Sequence, residues 1–363
     1  MRRHIPALDG VRGLAVISVF MLHYGGGAAS SILPIRIIGD VIKSGWLGVS
    51  LFFVLSGFLI SGILLDSFEN HPNDSRSWWR EFYLRRIRRI FPLYYFALAL
   101  ALGASLWLVH RASMGFAVLI LYLQDFPPFF PVLREINALK IGHFWSLAVE
   151  EQFYIFWPFV LFSARRHLGS LCITLWILSL GYRIVASHFS AEWSFNFLPG
   201  RVGELCAGAY LAHALRADKP ILKFAVPVLI ISALVLVAIF FATNSFTWTP
   251  SITNTLGLAV ASTLFASLIA VALSGGAVQH IFELSLLRWI GKISYGIYVY
   301  HLLLEPLFSY LAYHLVATTS GNSFLISRFF VALVGTLVVS TISFRYLETP
   351  ARSIALRHVV VPS

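Results

Sequence analysis

Arg12 and His23 lie eleven residues apart in one apolar stretch, IPALDGVRGLAVISVFMLHY at residues 5–24. On an α-helix that separation is about 16 Å along the axis and about 20° around it, so both side chains leave the same face. An imidazole gains and loses a proton near neutral pH and a guanidinium holds anions, so proton transfer and anion binding are the chemistries this face offers. An ionisable group inside a spanning helix costs about 2.5 to 3.5 kcal/mol or more, and such groups usually face a bundle interior or a water-filled cavity. The same rise places His23 roughly halfway through a bilayer. Two plain alternatives stand beside this reading: Arg12 anchors the cytoplasmic end, and His23 hydrogen-bonds a neighbouring helix. Asp9, three residues before Arg12, can pair with it across one turn.

Other ionisable groups recur along the chain. In WWREFYLRRIRRIFPLYY, Arg85, Arg86, Arg88 and Arg89 are neighbours at i,i+3 and i,i+4. They are either a snorkelling anchor beside an interfacial belt of Trp78, Trp79 and Tyr83, or a phosphate site, because guanidinium forks bind phosphate oxygens in pairs. HFWSLAVEEQFYIFWP carries adjacent carboxylates, Glu150 and Glu151, which a helix must send to different faces. In FLPGRVGELCAGAYLA, Arg201 and Glu204 are spaced for an intrahelical ion pair. ISYGIYVYHLLLEP puts Tyr295, Tyr298, His301 and Glu305 on one helical stripe, where His301 and Glu305 can pair. GWLGVSLFFVLSGFLISG alternates small and large residues around Phe52, Phe53, Ser56 and Gly57, a pattern for close helix packing or for a groove that admits a ligand tail.

These residues need helices to hold them, and the composition supplies helices of one kind. With 363 residues, 58% of them hydrophobic and 12% charged, the chain reads as an all-α polytopic membrane bundle with no sizeable soluble part. Spans are expected at about 10–30, 45–66, 88–110, 143–163, 168–188, 198–215, 224–243, 253–274, 293–316 and 323–346. The first is expected to be retained rather than cleaved as a signal peptide, because it carries Arg12 and His23 and lacks a convincing small-residue cleavage site. Arg2, Arg3 and the arginine-rich 76–89 stretch fall inside, as the positive-inside rule requires, so a net charge of +11 points to topology and not to nucleic acid. SMGFAVLILYLQDFPPFFP, at 113–131, is short and ends in Pro127, Pro128 and Pro131. Counted as a crossing, it would put Arg165, Arg166, His167 and the basic end around Arg352 and Arg357 outside. A re-entrant or interfacial segment, ten spans and two cytoplasmic termini are therefore expected. Residues 25–27 make a short glycine turn. Cys172 and Cys206 read as packing residues without metal-ligand spacing, no metal site is expected, and 1–363 is taken as a single integral membrane domain.

Taken together, LDGVRGLAV with its R-x10-H spacing, FFVLSGF, FYLRRIRRIFP, FWSLAVEEQFY, RVGELCAG, SYGIYVYH and YLETP resemble, in order, the motifs of the acyltransferase-3 family of integral membrane O-acyltransferases. That resemblance implies a ten-helix bundle that takes an acyl group, commonly acetyl, from cytoplasmic acyl-CoA and places it on a hydroxyl at or beyond the other membrane face. It matches His23 and Arg12 to the family's essential pair, and Phe52, Phe53, Ser56 and Gly57 to its second-helix motif. Arg85, Arg86, Arg88 and Arg89 match its basic motif, and Glu150 its E-x-x-F carboxylate, with Glu151 fitting a shifted E-x-x-Y form. Some members append an extracytoplasmic SGNH-type esterase domain. Here the chain stops just after Arg357, so it is expected to deliver the acyl group itself or to pass it to a separate protein.

The implied chemistry uses the arginine row for CoA phosphates, the small-residue groove for the pantetheine arm and His23 as general base or as an acyl-bearing nucleophile. Arg12 steadies an oxyanion or binds the donor, and Glu150 or Glu151 tunes the histidine. Asp9, Arg201, Glu204, Tyr298 and His301 are expected in support. The expected partners are the bilayer of a bacterial inner membrane, acetyl-CoA, a carbohydrate acceptor and glycan-assembly proteins. A proton-coupled transporter or flippase of a lipid-linked or anionic substrate is the competing class, and it would consume no acyl-CoA. A structural scaffold would tolerate loss of His23.

Overall fold

In lipid every backbone polar group must be satisfied within the protein, so long apolar runs fold as helices. The computed structural model describes residues 4–25, 33–70, 75–109, 113–126, 129–133, 139–217 and 219–357, and there it is helical with no strand. Arg2, Arg3, Gly26, Gly27, Pro127 and Pro128 lie outside the described residues. In chain order the helices are α1 (Pro6–Tyr24), α2 (Leu33–Lys43), α3 (Leu47–Asn70), α4 (Ser75–Val109), α5 (Gly115–Ile120), α6 (Trp145–Ala164), α7 (Leu168–Ser187), α8 (Ala191–Asn196) and α9 (Leu198–Arg216). There follow α10 (Ile221–Thr243), α11 (Leu258–Leu273), α12 (Ala277–Phe282), α13 (Ser285–Lys292), α14 (Ser294–Leu303), α15 (Glu305–Val316), α16 (Gly321–Ser343) and α17 (Thr349–Arg357).

Among the described residues, seven helical stretches are long and apolar enough to cross a membrane: Pro6–Tyr24, Ile38–Glu69, Trp78–Trp107, Gly142–Ser187, Ile221–Thr243, Thr253–Leu273 and Gly321–Ser353. Two expected spans share the stretch Gly142–Ser187, where a 3₁₀ turn at Arg165–His167 separates α6 from α7. The spans expected at 198–215 and 293–316 fall outside those seven. The first is the single helix α9, whereas the second is two helices meeting at Leu304, with Pro306 in the first turn of α15. Proline has no N–H to continue a helix and is tolerated only at such a start.

Burial patterns identify the solvent of these helices. α10 buries only Ala225, Ser232, Leu236 and Phe240, one stripe at helical spacing, while Phe224, Ile230, Ile231, Leu234 and Phe241 are exposed. α16 likewise buries Ala332, Thr336, Ser340 and Ser343 and exposes Phe330, Val334, Val338 and Ile342. Helices whose outward face is apolar along its length suit hydrocarbon and not water. The chain is an integral membrane protein.

Two compact units make up the chain. The first joins Met1–Leu65 to Ser146–Lys292, and the second joins Asp66–Trp145 to Ile293–Ser363. In the first unit α1 packs on α13, α12 and α11, α7 on α9 and α8, and α10 on α11. A Cβ on Gly57 of α3 would collide with the backbone carbonyl of Leu205 on α9, and one on Gly208 of α9 with the carbonyl of Val54 on α3, so the two helices cross in backbone contact. Gly57→Val is expected to force them apart at about 1 to 3 kcal/mol, read as a lower melting temperature of the purified protein.

In the second unit α4 packs on α5, α14 and α17, and α16 on α14 and α15. α5 has six residues and spans about 9 Å, far short of a hydrocarbon core of about 30 Å. Tyr94 donates to the Leu119 carbonyl at 2.7 Å and Tyr95 to that of Ile120 at 3.2 Å. Tyr94 stands about 22 Å along α4 from Val109, so the segment after α4 folds back beside it to that depth and turns at Tyr122, where φ is 54°.

Candidate active site

α1 begins at Pro6, a residue suited to a first helical turn, and ends at Gly25. His23 therefore sits in the last turn of α1 and not midway along a span, about 25 Å from Pro6. Its Nδ1 lies 2.9 Å from the Val19 carbonyl oxygen. A carbonyl can only accept, so Nδ1 carries the proton, and in the neutral ring the basic lone pair is on Nε2. Half a helix away, Arg12 pairs with Asp9 at 3.3 Å, as its spacing suggested, and Asp9 also accepts from His4 at 2.8 Å. Asp9 is buried, and its backbone carbonyl lies where a Cβ on Gly291 would fall, so α13 presses on α1 at the Asp9–Arg12 turn.

In the same unit the second-helix motif is occupied by neighbours. Ser56 hydrogen-bonds the hydroxyl of Tyr154, and Trp157 donates to Ser61 at 2.8 Å. Phe53 is 1% exposed and carries the Arg201 guanidinium over its ring at 5.0 Å, while Phe52 is half-buried. Arg201 donates to Ser50 at 3.1 Å and forms an ion pair with Glu204 at 3.0 Å, both side chains fully buried. Glu151 is buried and Glu150 half-buried, so the adjacent carboxylates do take different faces of α6.

The second unit holds the arginine row. Arg85 is exposed and paired with Glu81, Arg86 lies over Phe82 at 5.8 Å, and Arg88 and Arg89 are half-buried. Trp78, Trp79 and Tyr83 stack in series. A π turn at Phe344–Glu348 leads into α17, where Arg352 pairs with Glu348 at 2.6 Å, and both feel the charge of Arg89. On α14, Tyr295 donates to the Ile90 carbonyl at 3.0 Å. Tyr298 donates to the His143 carbonyl at 3.0 Å, and His301 Nδ1 donates to the Tyr298 carbonyl at 2.7 Å. The expected stripe is not one helix: the break at Leu304 puts His301 on α14 and Glu305 at the start of α15. There Glu305 accepts from Ser309 at 2.7 Å and pairs with Arg328 at 3.4 Å.

The family model described as an acyltransferase domain, acyltransferase-3, matches residues 5–345, both units included. The chain belongs to the acyltransferase-3 family. It is 27% identical to the peptidoglycan O-acetyltransferase OatA of Listeria monocytogenes over 97% of this chain and 56% of that protein. To the protein named "Putative O-acetyltransferase SACOL0978" of Staphylococcus aureus it is 26% identical over 96% of this chain and 58% of the relative. To that named "Putative peptidoglycan O-acetyltransferase YrhL" of Bacillus subtilis it is 26% identical over 98% and 56%. This acyltransferase-3 chain thus spans a little over half the length of these curated relatives. No solved structure matches it.

Two polar residues of this family chain escaped the sequence reading. Arg183, 1% exposed on α7, donates to the Gly200 carbonyl at 2.7 Å and stands beside the Arg201–Glu204 pair. Its signal was a lone arginine in the apolar run ILSLGYRIVAS. His143 precedes α6 on a 3₁₀ turn, Gly142–Phe144, and its Nε2 lies 3.0 Å from the Tyr298 carbonyl. It looked like the flank of a span, and its partner is 155 residues away in sequence.

Proposed function

We propose that this chain is a membrane O-acetyltransferase that moves an acetyl group from cytoplasmic acetyl-CoA to a hydroxyl of a cell-wall glycan. The observation that carries the reading is His23, an imidazole whose Nδ1–H is committed to the Val19 carbonyl and whose Nε2 is thereby the base, in a chain matched by the acyltransferase family along its length. A hydroxyl is a poor nucleophile until its proton is taken, and a positioned imidazole contributes about 10²- to 10⁴-fold by taking it. The hydroxyl oxygen then attacks the thioester carbonyl, the C–O bond forms, and the C–S bond breaks with departure of the CoA thiolate. Glu150 or Glu151 tunes His23, and Arg12, paired with Asp9 at the other end of α1, holds that turn of the helix.

The donor's phosphates bind Arg85, Arg86, Arg88 and Arg89, whose guanidinium forks suit phosphate oxygens, while Phe53, Ser56 and Gly57 pack α3 against its neighbours in the first unit. The double variant Arg85→Gln, Arg88→Gln is expected to raise KM for acetyl-CoA by about tenfold and to leave kcat near wild type, since two exposed charge interactions of about 0.5 to 1 kcal/mol each are lost from binding alone. Initial rates against acetyl-CoA concentration read this. Ten crossings with both termini cytoplasmic, in a bacterial inner membrane, put the arginine row on the side where acyl-CoA is found. Both units act as one acyltransferase domain, beside the proteins that assemble the glycan.

Release of free CoA thiol by the purified chain in nanodiscs, with and without a glycan bearing free hydroxyls, tests the reading. Acceptor-dependent release is expected. Movement of a substrate across the bilayer with no thiol released would establish a transporter instead.

A further inference from the structure

We propose that His143 and His301 together form the general acid that protonates the departing CoA thiolate. The proposal rests on the acyl-CoA reading above and adds a group that the reaction needs. When the acceptor oxygen displaces the thiol, the hydroxyl proton goes to a base and the sulfur leaves as a thiolate. An anion held at membrane depth is costly, and an acid placed at the sulfur removes it as it forms. Protons balance, one entering with the hydroxyl and one leaving with the thiol.

The second unit holds two imidazoles arranged for this. His143 Nε2 and His301 Nδ1 both point at a single acceptor, the Tyr298 carbonyl, at 3.0 and 2.7 Å. Each of those nitrogens must carry its proton to bond a carbonyl, so the second proton of each ring is gained and lost at His143 Nδ1 and His301 Nε2. The ring centroids stand 4.9 Å apart, edge to face. His301 is 1% exposed. The mount is stiff: Tyr298 returns a bond to the His143 carbonyl at 3.0 Å, and Gln124, just after α5, donates to the next carbonyl, Phe144, at 2.9 Å and to the Tyr94 hydroxyl at 3.2 Å. A ring locked at one nitrogen exchanges protons at the other without turning.

Position within the unit supplies the substrate. Tyr295, six residues before His301 on α14, bonds the carbonyl of Ile90, the neighbour of Arg89. The imidazoles therefore stand about 9 Å along α14 from the level of the arginine row. A CoA whose phosphates rest on that row and whose pantetheine arm runs along α14 brings its sulfur toward them.

Two acetyl donors test this on the full chain in nanodiscs with a glycan acceptor. Acetyl-CoA needs its leaving sulfur protonated, and 4-nitrophenyl acetate releases a stabilised phenolate that needs no acid. His301→Gln, whose amide N–H can still reach the Tyr298 carbonyl, is expected to lower kcat with acetyl-CoA by about 10²-fold at unchanged KM and the aryl-ester rate by less than about threefold. His143→Gln is expected to show the same split to a smaller degree. Equal losses with both donors would make the pair structural and overturn the proposal, as would unchanged acetyl-CoA turnover in His301→Gln. If the wild type uses the aryl ester but never acetyl-CoA, the acyl-CoA reading itself has failed, and the acid falls with it.

Discussion

Replacing His23 with Gln is expected to lower kcat for acetyl transfer by about 10²- to 10⁴-fold while the protein folds and binds acetyl-CoA as before. Gln keeps an N–H that can reach the Val19 carbonyl, the contact His23 makes at 2.9 Å, so the last turn of α1 retains its local bond. What it lacks is a basic lone pair where Nε2 stood, and the hydroxyl then has nothing to give its proton to. A packing role for His23 predicts the opposite pattern, a lower melting temperature with turnover per folded molecule unchanged. Kinetics at matched monodispersity, with the melting curve beside them, separate the two.

Glu204→Ala is expected to destabilise the protein by about 3 to 5 kcal/mol, enough to cost most of its folded yield. Glu204 is fully buried, ion-paired with Arg201 at 3.0 Å, and within reach of the charge on Arg183. Removing the carboxylate leaves two guanidiniums buried in the first unit, hydrogen-bonded to Ser50, Ser179 and the Gly200 carbonyl. A buried pair adds little net stability over an apolar isostere, but breaking one side of it exposes the full desolvation cost of the other. Thermal unfolding checks this, and pairing Glu204→Ala with Arg201→Met should restore part of the loss because one of the orphaned charges is gone.

Much of this architecture was legible in the sequence, for reasons specific to membranes. Apolar runs near 20 residues long have few folds available in hydrocarbon, so α1, α3, α10, α11 and α16 could be placed from composition. Local ion pairs were legible too, because i,i+3 spacing on a helix settles them, as Asp9 with Arg12 and Arg201 with Glu204 show. The short run before Pro127 and Pro128 ended too soon for a full crossing, and α5 there is only six residues long.

Contacts made by the approach of distant segments were not legible. The stripe from Tyr295 to Glu305 assumed one continuous helix, and the break at Leu304 sent Glu305 to Arg328 and left His301 facing the Tyr298 carbonyl and His143. The small residues of α3 announced close packing, but nothing local named Leu205 as the backbone that meets Gly57. Arg183 and His143 carried no motif at all. Their roles appear only once Gly200 and Tyr298 are folded against them.

The central claim is that this chain transfers an acyl group from acyl-CoA by chemistry at His23. Acetyl-CoA labelled in the acetyl group, given to the purified chain in nanodiscs with a hydroxyl-bearing cell-wall glycan, tests it most directly when wild type and His23→Gln are run side by side. The account predicts label in an alkali-labile ester on the glycan, one free CoA thiol for each ester, and neither product from the variant. Label that never leaves CoA in the wild type, or ester formed equally well by His23→Gln, would contradict it.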